Sequence, residues 1–581
     1  MSKNKSSSIA RHDTKSAESR RRRGWTFVAG LSAVLTVTVV GCGTTSNGSS
    51  SNNAASGNSG NTATTTNATA SAGNTSGTIV DGLFEEPGNL NPVLGPDMTF
   101  SAIVDTSLYR NLFMVNPQNQ LVPQMATEVP TVQNGGISKD GLTYTFHLNP
   151  NAKWSNGDPF TAKDVQVTYQ IIMNSQVNAV SKLGWQDVQT FTIVNPHEFT
   201  VKLKRPDPAF IENALSSSLP GILPASVFGS MNPKNVNTAS FNHDPTVTNG
   251  PYKFVSWVPG ASITVSANPY WMGPKPKTQT IQYKIIPDQN TLLTNVKAHA
   301  VNVWYFDPIT ELSQIQAVQG ADVHLTPMPA FEMAVVNMRN PILQDVRVRQ
   351  ALELAIDRQA IVQQIYKGKA TLLAADQSSM SWTSNPNLQP YPYDLAKAKQ
   401  LMAAAGWKMG PNGYLQKNGK ELTLTYSTTA GNSVRSATER LIQYWFKQLG
   451  VNLIIKNYPA NEYFGTVLPS GKGWDLGEFE FQDGTNPVAA TQQLFTSTGA
   501  QNFGGFKNST VDQLIKKVDV TTSKSQRQQM MQQVESILHT QLPALWYYAP
   551  DEVDTTVNLS GYQPNPWSVD TWNVYDWQLK N

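Results

Sequence analysis

In the stretch Leu422-Thr423-Leu424-Thr425-Tyr426, apolar and polar side chains alternate, and Val451-Asn452-Leu453-Ile454-Ile455 is similarly rich in apolar residues. Segments of this kind, a few residues long, are typical of β-strands. The sequence between them predicts an α-helix from about Val434 to Leu449. A strand, a helix and a second strand in succession form a βαβ arrangement, so at least one part of the chain is predicted to be α/β.

Helix signals precede this unit. Asp345 is a good N-cap residue, and the apolar stripe that follows it continues to Ile356. Asp357 caps a second predicted helix, and a third runs from about Asp394 to Ala405. Other helices are predicted at 103–113, from Thr161 onward and at about 525–541, and other strands at 78–80, 141–148, 199–203, 263–265 and 281–286.

Length and composition limit the class of protein. The chain has 581 residues, which is more than one hydrophobic core supports, so two or three domains are expected. Charged residues make up 15% of the chain, and the formal net charge is only +3. This balance argues against a nucleic-acid-binding protein, which would need a strongly basic face. Cys42 is the one cysteine, so an intramolecular disulfide is excluded.

The N-terminal segment has the features of an export signal. Four arginines at 20–23 precede an apolar run from Trp25 to Val40. This run is shorter than the roughly 20 apolar residues that a membrane span needs. The sequence Val39-Val40-Gly41-Cys42 resembles the lipobox of bacterial lipoproteins. We therefore predict a signal peptide at 1–41 and a lipid on Cys42, and the arginines are compatible with both the Sec and the twin-arginine export routes.

Residues 42–77 consist almost entirely of Gly, Ser, Thr, Asn and Ala. A segment without large apolar side chains cannot bury enough surface to offset the entropy of ordering it, so we predict a flexible tether. With a lipid on Cys42, the tether predicts an exported protein anchored to the outer face of the cell membrane. In a host with an outer membrane, this is the periplasmic side.

Six short blocks carry a resemblance that covers residues 78–581. They are Leu121–Pro123, Asp140–Phe146, Trp154–Val165, Asn249–Tyr252, Asn268–Trp271 and Asp345–Ala351, the last continued by Ala355–Arg358. Their types and order resemble family 5 of the extracellular solute-binding proteins of ABC importers, the oligopeptide- and dipeptide-binding class. No single block is decisive, but the six occur in the family's order.

The resemblance implies an α/β, periplasmic-binding-protein-like fold, with two α/β lobes around a hinge and an extra inserted subdomain. Lobe I would comprise residues 78–125, 248–333 and 543–581. The inserted subdomain would comprise 126–247, and lobe II would comprise 334–542.

The resemblance also implies a function. The protein would be the membrane-anchored substrate-binding component of an ABC importer, capturing peptides in the cleft between the lobes and delivering them to the permease as a monomer. Other members of the family bind sugars, opines, or nickel or haem complexes, so a non-peptide solute is the alternative.

An exported hydrolase is the alternative from a different class. The sequence contains no Gly-x-Ser-x-Gly elbow, and its 7 histidines are scattered without the spacing of a metal site. The sequence therefore predicts no catalytic residue, no cofactor and no metal site.

Family members meet the amino group of a bound peptide with an aspartate in an Asp-x-x-x-Pro pattern, after an aromatic-rich strand. Here Asp483-Gly484-Thr485-Asn486-Pro487 has that spacing and follows the strand that contains Phe479, Glu480 and Phe481. We predict that Asp483 binds the ligand, although Asp-Gly is also common in simple turns. Alternation along the strand places the two phenylalanines on one face and Glu480 on the other, where it would favour cationic ligands if that face lines the cleft.

The resemblance alone suggests four other ligand contacts. Met98 and Thr99 lie where the family's first lobe offers main-chain groups to the ligand. Tyr109 and Trp382 are aromatic residues near segments that line the cleft. A role in the core or on the surface is the alternative for each of them.

Overall fold

The computed structural model describes residues 77–94, 99–216, 221–459 and 462–580. The predicted signal peptide, Cys42 and all of the predicted tether except Gly77 lie outside these ranges. Across the described ranges, no helix combines the length and the apolar character needed to cross a membrane.

The largest sheet has twelve strands, and four smaller sheets accompany it: two of three strands and two of two strands. The strands are β1 (Thr78–Leu83), β2 (Phe113–Val115), β3 (Leu121–Pro123), β4 (Thr143–His147), β5 (Val188–Asn195), β6 (Glu198–Leu203), β7 (Tyr252–Val258), β8 (Ser262–Ala267), β9 (Thr280–Ile285), β10 (Val303–Trp304), β11 (Ala321–Pro327), β12 (Ala330–Val336), β13 (Ala370–Leu372), β14 (Lys408–Met409), β15 (Leu415–Lys417), β16 (Lys420–Glu421), β17 (Thr423–Ser427), β18 (Asn452–Ile455), β19 (Leu476–Gln482), β20 (Ala544–Val557), β21 (Leu559–Ser560) and β22 (Gln578–Leu579).

Helices cover the strands. The α-helices are Thr99–Leu108, Ala162–Met173, Phe210–Leu215, Ala225–Phe228, Pro233–Val236, Gln289–Lys297, Leu312–Gln316, Val346–Leu354, Arg358–Gln364, Leu395–Ala404, Ser433–Leu449, Leu468–Ser470, Pro487–Phe495, Ser509–Val518 and Lys524–Gln541. Short segments of other helix types are Trp185–Asp187, Ser240–Asn242, Ile309–Glu311, Tyr463–Val467 and Asp570–Asp576.

The large sheet has the order β18-β17-β19-β12-β20-β10-β1-β9-β8-β7, and β11 and β13 also pair with β20. β20, which is 14 residues long, belongs to both halves of this sheet. Its first part pairs with β12, where Met333 lies opposite Trp546, and its last part pairs with β11, where Leu325 lies opposite Val553. β11 ends at Pro327 and β12 begins at Ala330. This short connection and β20 are therefore two segments of chain that link the two halves of the sheet.

Each half has its own apolar core. Ile79, Val265 and Ile281 are buried in the core on the β1 side of the sheet. Leu424 and Met333 are buried in two separate cores on the β19 side. Separate cores around strands and covering helices confirm the α/β class that the sequence predicts.

The βαβ unit is present as predicted. β17 and β18 are parallel neighbours, with Leu424 beside Leu453, and the helix Ser433–Leu449 connects them. Asn432 caps this helix, because its side chain accepts a hydrogen bond from the N–H of Arg435.

The first helix ends earlier than its apolar spacing predicts. Helical spacing continues to Phe113, but the helix is Thr99–Leu108. At the end of the helix, the turn at Asn249 and Gly250 supplies the hydrogen-bond donor: the Gly250 N–H donates to the Leu108 carbonyl at 2.7 Å. A Cβ on Gly250 would lie 2.5 Å from the Leu108 carbonyl carbon, so only glycine permits this approach. A tertiary contact therefore overrides the local pattern.

The segment between β3 and β7 forms a small unit of its own. Strands β4, β6 and β5 make an antiparallel sheet in that order. Beside it lies the helix Ala162–Met173, which begins with the predicted N-cap Thr161. Asp164 completes a capping box, because its carboxylate accepts a hydrogen bond from the Thr161 N–H at 2.7 Å.

Candidate ligand-binding site

The two predicted phenylalanines of β19 face an apolar core. Phe479 is 2% exposed and lies edge-on to Phe464 and Phe503, with ring centres 5.7 and 6.1 Å away. Phe481 is partly buried, with its ring centre 5.8 Å from that of Phe331. Both side chains therefore help to fix the strand that carries the acidic residues on its other face.

The opposite face of β19 is acidic. Glu480 lies directly opposite Glu332 of β12, and Glu478 lies one pleat away on the same face. Arg435, at the start of the helix Ser433–Leu449, binds Glu332 in a two-pronged pair of 2.8 and 3.1 Å. Its remaining amino group donates to the Thr429 hydroxyl at 3.0 Å. One guanidinium thus lies among three carboxyl groups.

This imbalance of charge affects the protonation of the two glutamates of β19. Burial raises the pKa of Glu480 to about 7; Glu332 adds to the shift and Arg435 opposes it. Burial, followed by repulsion from Glu332, raises the pKa of Glu478 well above its usual range. Within the described ranges neither oxygen of Glu478 accepts a well-formed hydrogen bond. The face is therefore able to stabilise an additional positive charge.

Asp483 lies at the junction between the two halves. Its N–H donates to the carbonyl of Pro329, in the segment that joins β11 to β12, at 2.7 Å. Gly484 has a φ of +57°, so the predicted Asp-Gly turn is present. Asp483 is 4% exposed, and neither of its carboxylate oxygens has a hydrogen-bond partner of good geometry among the described residues, although the Ser378 N–H is close enough to oppose the rise in the pKa of Asp483.

Two other buried carboxyl groups lie near Asp483. Asp376 accepts hydrogen bonds through one oxygen from Thr491 at 2.5 Å and Gln377 at 3.3 Å. Burial raises the pKa of Asp376 to about 6. Burial and the charge of Asp376 raise the pKa of Asp483, and burial with the charges of both aspartates raises that of Glu535. We call Asp376, Asp483 and Glu535 the lobe II acidic group.

The remaining predicted ligand contacts, Met98, Thr99, Tyr109 and Trp382, are spread over several parts of the chain. Thr99 is exposed at the start of its helix, and Met98 lies outside the described residues. Tyr109 is fully buried, and its hydroxyl donates to the carbonyl of Leu90 at 3.2 Å. Trp382 is partly buried, and the guanidinium of Arg527 lies 5.0 Å from its ring centre. Among the described residues, no hydrogen bond or ring contact joins Thr99, Tyr109 or Trp382 to Asp483.

Arg527 brings the segment between β3 and β7 against the far half of the molecule. It projects from the helix Lys524–Gln541, and the carboxylates of Glu212, Asp207 and Asp519 oppose the effect of burial, which lowers its pKa. Glu212 and Asp207 belong to the segment between β3 and β7, whereas Asp519 precedes the Arg527 helix. Opposite charges therefore meet where these two parts of the chain approach each other.

Sequence reasoning identified Asp483 and Glu480 but not their acidic neighbours. Glu332 and Arg435 are 103 positions apart, and Asp376 and Thr491 are 115 positions apart. No local motif marks Asp376 or Glu535. The sequence signal is the alternation of side chains along a strand such as β19. It predicts which residues of that strand share a face, but not which residues of distant segments lie beside them.

The chain is similar in sequence to known solute-binding proteins. Residues 120–503 match the family described as "Bacterial extracellular solute-binding proteins, family 5 Middle". Oligopeptide-binding protein AppA of Bacillus subtilis (strain 168) is 26% identical over 579 residues, which covers 96% of this chain and 99% of that protein.

Solved structures show the same architecture. The structure of AppA from Bacillus subtilis in complex with a nonapeptide is 25% identical, with a TM-score of 0.70, and the match covers 87% of this chain and 99% of that one. NikZ from Campylobacter jejuni in complex with Ni(L-His) is 24% identical and similar in fold, with a TM-score of 0.72 and the same coverage. The periplasmic-binding-protein-like fold expected from the sequence is therefore confirmed. Because the family match extends from residue 120 to residue 503 of a chain of 581 residues, the protein belongs to family 5 of the bacterial extracellular solute-binding proteins.

Proposed function

We propose that this protein captures peptides in a cleft between its two halves, with Asp483 receiving the amino terminus of the ligand. The observation that carries the proposal is the state of Asp483: its carboxylate is buried, and neither oxygen has a hydrogen-bond partner of good geometry within the described chain. No salt bridge of the described residues reaches Asp483, Asp376 or Glu535. The nonapeptide bound by AppA supports a peptide as the ligand.

Burial without a cation is unfavourable for a carboxylate. An ionised group that is removed from water must find a partner or take up a proton, and here burial raises the pKa of Asp483. An ammonium group brings one positive charge and three hydrogen-bond donors. It would pair with Asp483 and reduce the repulsion within the lobe II acidic group, so a ligand with a free amino terminus offsets the cost of burying these carboxyl groups.

The acidic face of β19 and β12 favours basic peptides. Arg435 pairs with Glu332, which leaves Glu478 and Glu480 without a salt bridge among the described residues. Glu480 is only partly buried, so its carboxylate is the more accessible of the two. We therefore propose that peptides with lysine or arginine near the amino terminus bind more tightly than neutral peptides of the same length.

The lobes would close on the ligand by a hinge motion. The proposed lobe I comprises residues 78–125, 248–333 and 543–581, lobe II comprises 334–542, and the inserted subdomain comprises 126–247. The chain passes between the two halves of the sheet near Pro329 and within β20, a few residues from the proposed boundaries at 333 and 543, and these two segments would act as the hinge. The attraction between the charges of Arg527, Asp207 and Glu212 would belong to the closed state. A ligand that prefers this state would thereby couple its binding to closure.

The setting of the protein follows from the same proposal. A lipid on Cys42 would hold the monomeric protein at the outer face of the cell membrane, and the tether 42–77 would let it reach an ABC permease. The permease would receive the ligand from the closed form. Small-angle scattering that gives the same envelope with and without a bound peptide would contradict the closing motion.

Native mass spectrometry of the full chain purified from its native host tests the ligand class first. A ladder of bound masses that fits short peptides is expected, and Asp483→Asn should lose it. Asp512→Asn is the matched control, because it removes a lobe II carboxylate that only accepts a local hydrogen bond from the Ser497 N–H. Retention of peptides by Asp483→Asn would refute the anchor.

A single discrete mass that fits no peptide would instead support the second candidate, a non-peptide solute such as a sugar, an opine, or a nickel or haem complex. NikZ, which has this fold, holds Ni(L-His). In that case Asp483 would be a residue of the observed turn, and loss of the mass in Glu480→Gln would place the solute on the acidic face of β19.

A further inference from the structure

A second group of carboxyl groups lies in the other half of the molecule, where β20 enters it. Glu552 and Asp554 belong to β20, and Asp570 begins the helical turn Asp570–Asp576. One carboxylate oxygen from each of these three residues lies within 4.8 Å of the others. Asp554 and Asp570 are buried, and Glu552 is partly buried. These three oxygens could all contact one ion.

Two more buried carboxylates adjoin this group, and each has an oxygen without a partner. Oδ1 of Asp307 and Oδ1 of Asp81 accept no hydrogen bond from the described residues, although Asp307 is 5% exposed and Asp81 is fully buried. Their other oxygens are occupied: the Thr555 hydroxyl donates to Asp307, and the Tyr305 hydroxyl donates to Asp81 at 2.7 Å. A buried oxygen without a hydrogen-bond partner is rare in proteins, and a water molecule or an ion is a common partner for such an atom.

Backbone contacts hold Asp307 against the three-carboxylate group. The Asp307 N–H donates to the Val553 carbonyl at 2.7 Å, and the neighbouring Phe306 N–H donates to the Asp554 carboxylate at 3.2 Å. Asp307 is close enough to Asp554 and Glu552 for its charge to act on both. The loop after β10 and strand β20 thus bring their carboxylates to the same place.

No cation of the described chain neutralises these groups. None of the salt bridges reaches any of the five carboxylates. Among the described residues, the two oxygens of Asp554 accept hydrogen bonds from the Phe306 N–H at 3.2 Å and from the Tyr562 hydroxyl at 2.8 Å, and neither donor is a cation. Without a cation, the group is therefore under strong electrostatic strain when it is ionised.

We propose that Glu552, Asp554 and Asp570, with Asp307 and Asp81 beside them, form a binding site for one divalent cation of the size of Ca²⁺. The donor set is entirely oxygen, which hard cations prefer to nitrogen or sulfur ligands. Oxygens bound to Ca²⁺ at 2.3–2.6 Å lie at most roughly 5 Å apart, and the 4.8 Å span of the group fits this limit. Mg²⁺ requires a tighter octahedron and is expected to fit less well.

The position of the site gives the ion a structural role. It would connect β20, just beyond the junction between the halves, to β1, to the loop after β10 and to the helical turn Asp570–Asp576. The ion would thereby fix one end of the strand on which the proposed hinge depends. Neither Asp483 nor the lobe II acidic group takes part in the site, whereas Glu480, on the face proposed to favour basic peptides, is close enough to Glu552 for its charge to act on it.

The test is isothermal titration calorimetry of CaCl₂ into the full chain after treatment with EGTA, with MgCl₂ in a parallel titration. One Ca²⁺ should bind per chain with a dissociation constant below about 1 mM, the range of extracellular calcium modules. Mg²⁺ should bind at least about tenfold more weakly, and the melting temperature should rise with Ca²⁺. Asp570→Asn should weaken Ca²⁺ binding at least tenfold.

Asp322→Asn is the matched control, because Asp322 lies on β11 beside β20 but is exposed and pairs with Lys580. It should bind Ca²⁺ as the wild type does. Without Ca²⁺, Asp570→Asn should melt above the wild type, because it removes repulsion between buried carboxylates. If Asp570→Asn fails to fold, the partly buried Glu552→Gln provides the same comparison. Absence of Ca²⁺ binding by the wild type at 1 mM, or equal affinity in the wild type and these variants, would overturn the proposal.

Discussion

Replacing Asp483 with asparagine should weaken the binding of a peptide with a free amino terminus by about 30- to 1000-fold. Asp483 is 4% exposed, so its bond to an ammonium group would form away from water. Truncating one member of a buried, hydrogen-bonded charge pair costs about 2–5 kcal/mol. The variant also removes a carboxylate that is buried without a partner in the free protein, and this partly offsets the cost. The expected loss of binding free energy is therefore about 2–4 kcal/mol, and each 1.4 kcal/mol corresponds to a tenfold change in affinity.

The assay is a double-mutant cycle in which the second change is made to the ligand. Isothermal titration calorimetry compares one peptide and its N-acetylated form, each with the wild type and with Asp483→Asn. Acetylation removes the ammonium charge, so it should cost the wild type about as much as the Asp483→Asn substitution does. The variant should be nearly indifferent to acetylation, because the group that recognised the charge is already gone.

Two results would refute this reasoning. An equal loss on acetylation in the wild type and in Asp483→Asn would show that another group binds the amino terminus. Unchanged binding of the free peptide by Asp483→Asn would show that this carboxylate makes no contact with the ligand. Asp512→Asn, which alters a carboxylate outside the proposed cleft, should follow the wild type in every arm of the cycle.

Three further predictions concern stability. Because the pKa is raised to about 6 for Asp376 and to about 7 for Glu480, the folded state holds protons that the unfolded state has released above about pH 4. The melting temperature of the ligand-free protein should therefore fall as the pH rises from 4 to 7, and this fall should shrink in Asp376→Asn/Glu480→Gln. Arg435→Met should lower the free energy of unfolding in urea by about 3–5 kcal/mol, because it leaves Glu332 buried and unpaired, and adding Glu332→Gln should restore most of the loss. Gly250→Ala should cost about 1–3 kcal/mol in the same assay, because its Cβ would lie 2.5 Å from a backbone carbon, whereas Gly465→Ala, with nothing near its Cβ and no positive φ, should cost less.

Much of the fold was accessible from short-range patterns. The βαβ unit around the helix Ser433–Leu449 and the caps at Thr161 and Asp345 are present as predicted, because capping and periodicity depend on residues a few positions apart. The first helix was predicted at 103–113, but it begins four residues earlier and ends five residues earlier, at Thr99–Leu108. Its end is set by Gly250, which is far away in the sequence and which no local pattern near residue 108 reveals.

The candidate site divides in the same way. The sequence by itself determined the turn at Asp483, the two faces of β19 and, through six ordered blocks, the family. Only the tertiary structure decided that Asp376 and Glu535 lie near Asp483, that Arg435 binds Glu332, and that the carboxylates of Glu552, Asp554 and Asp570 meet beside the end of β20. The physical reason is that side-chain alternation fixes which face a residue occupies, whereas burial and charge depend on which distant strands pair and on what covers them.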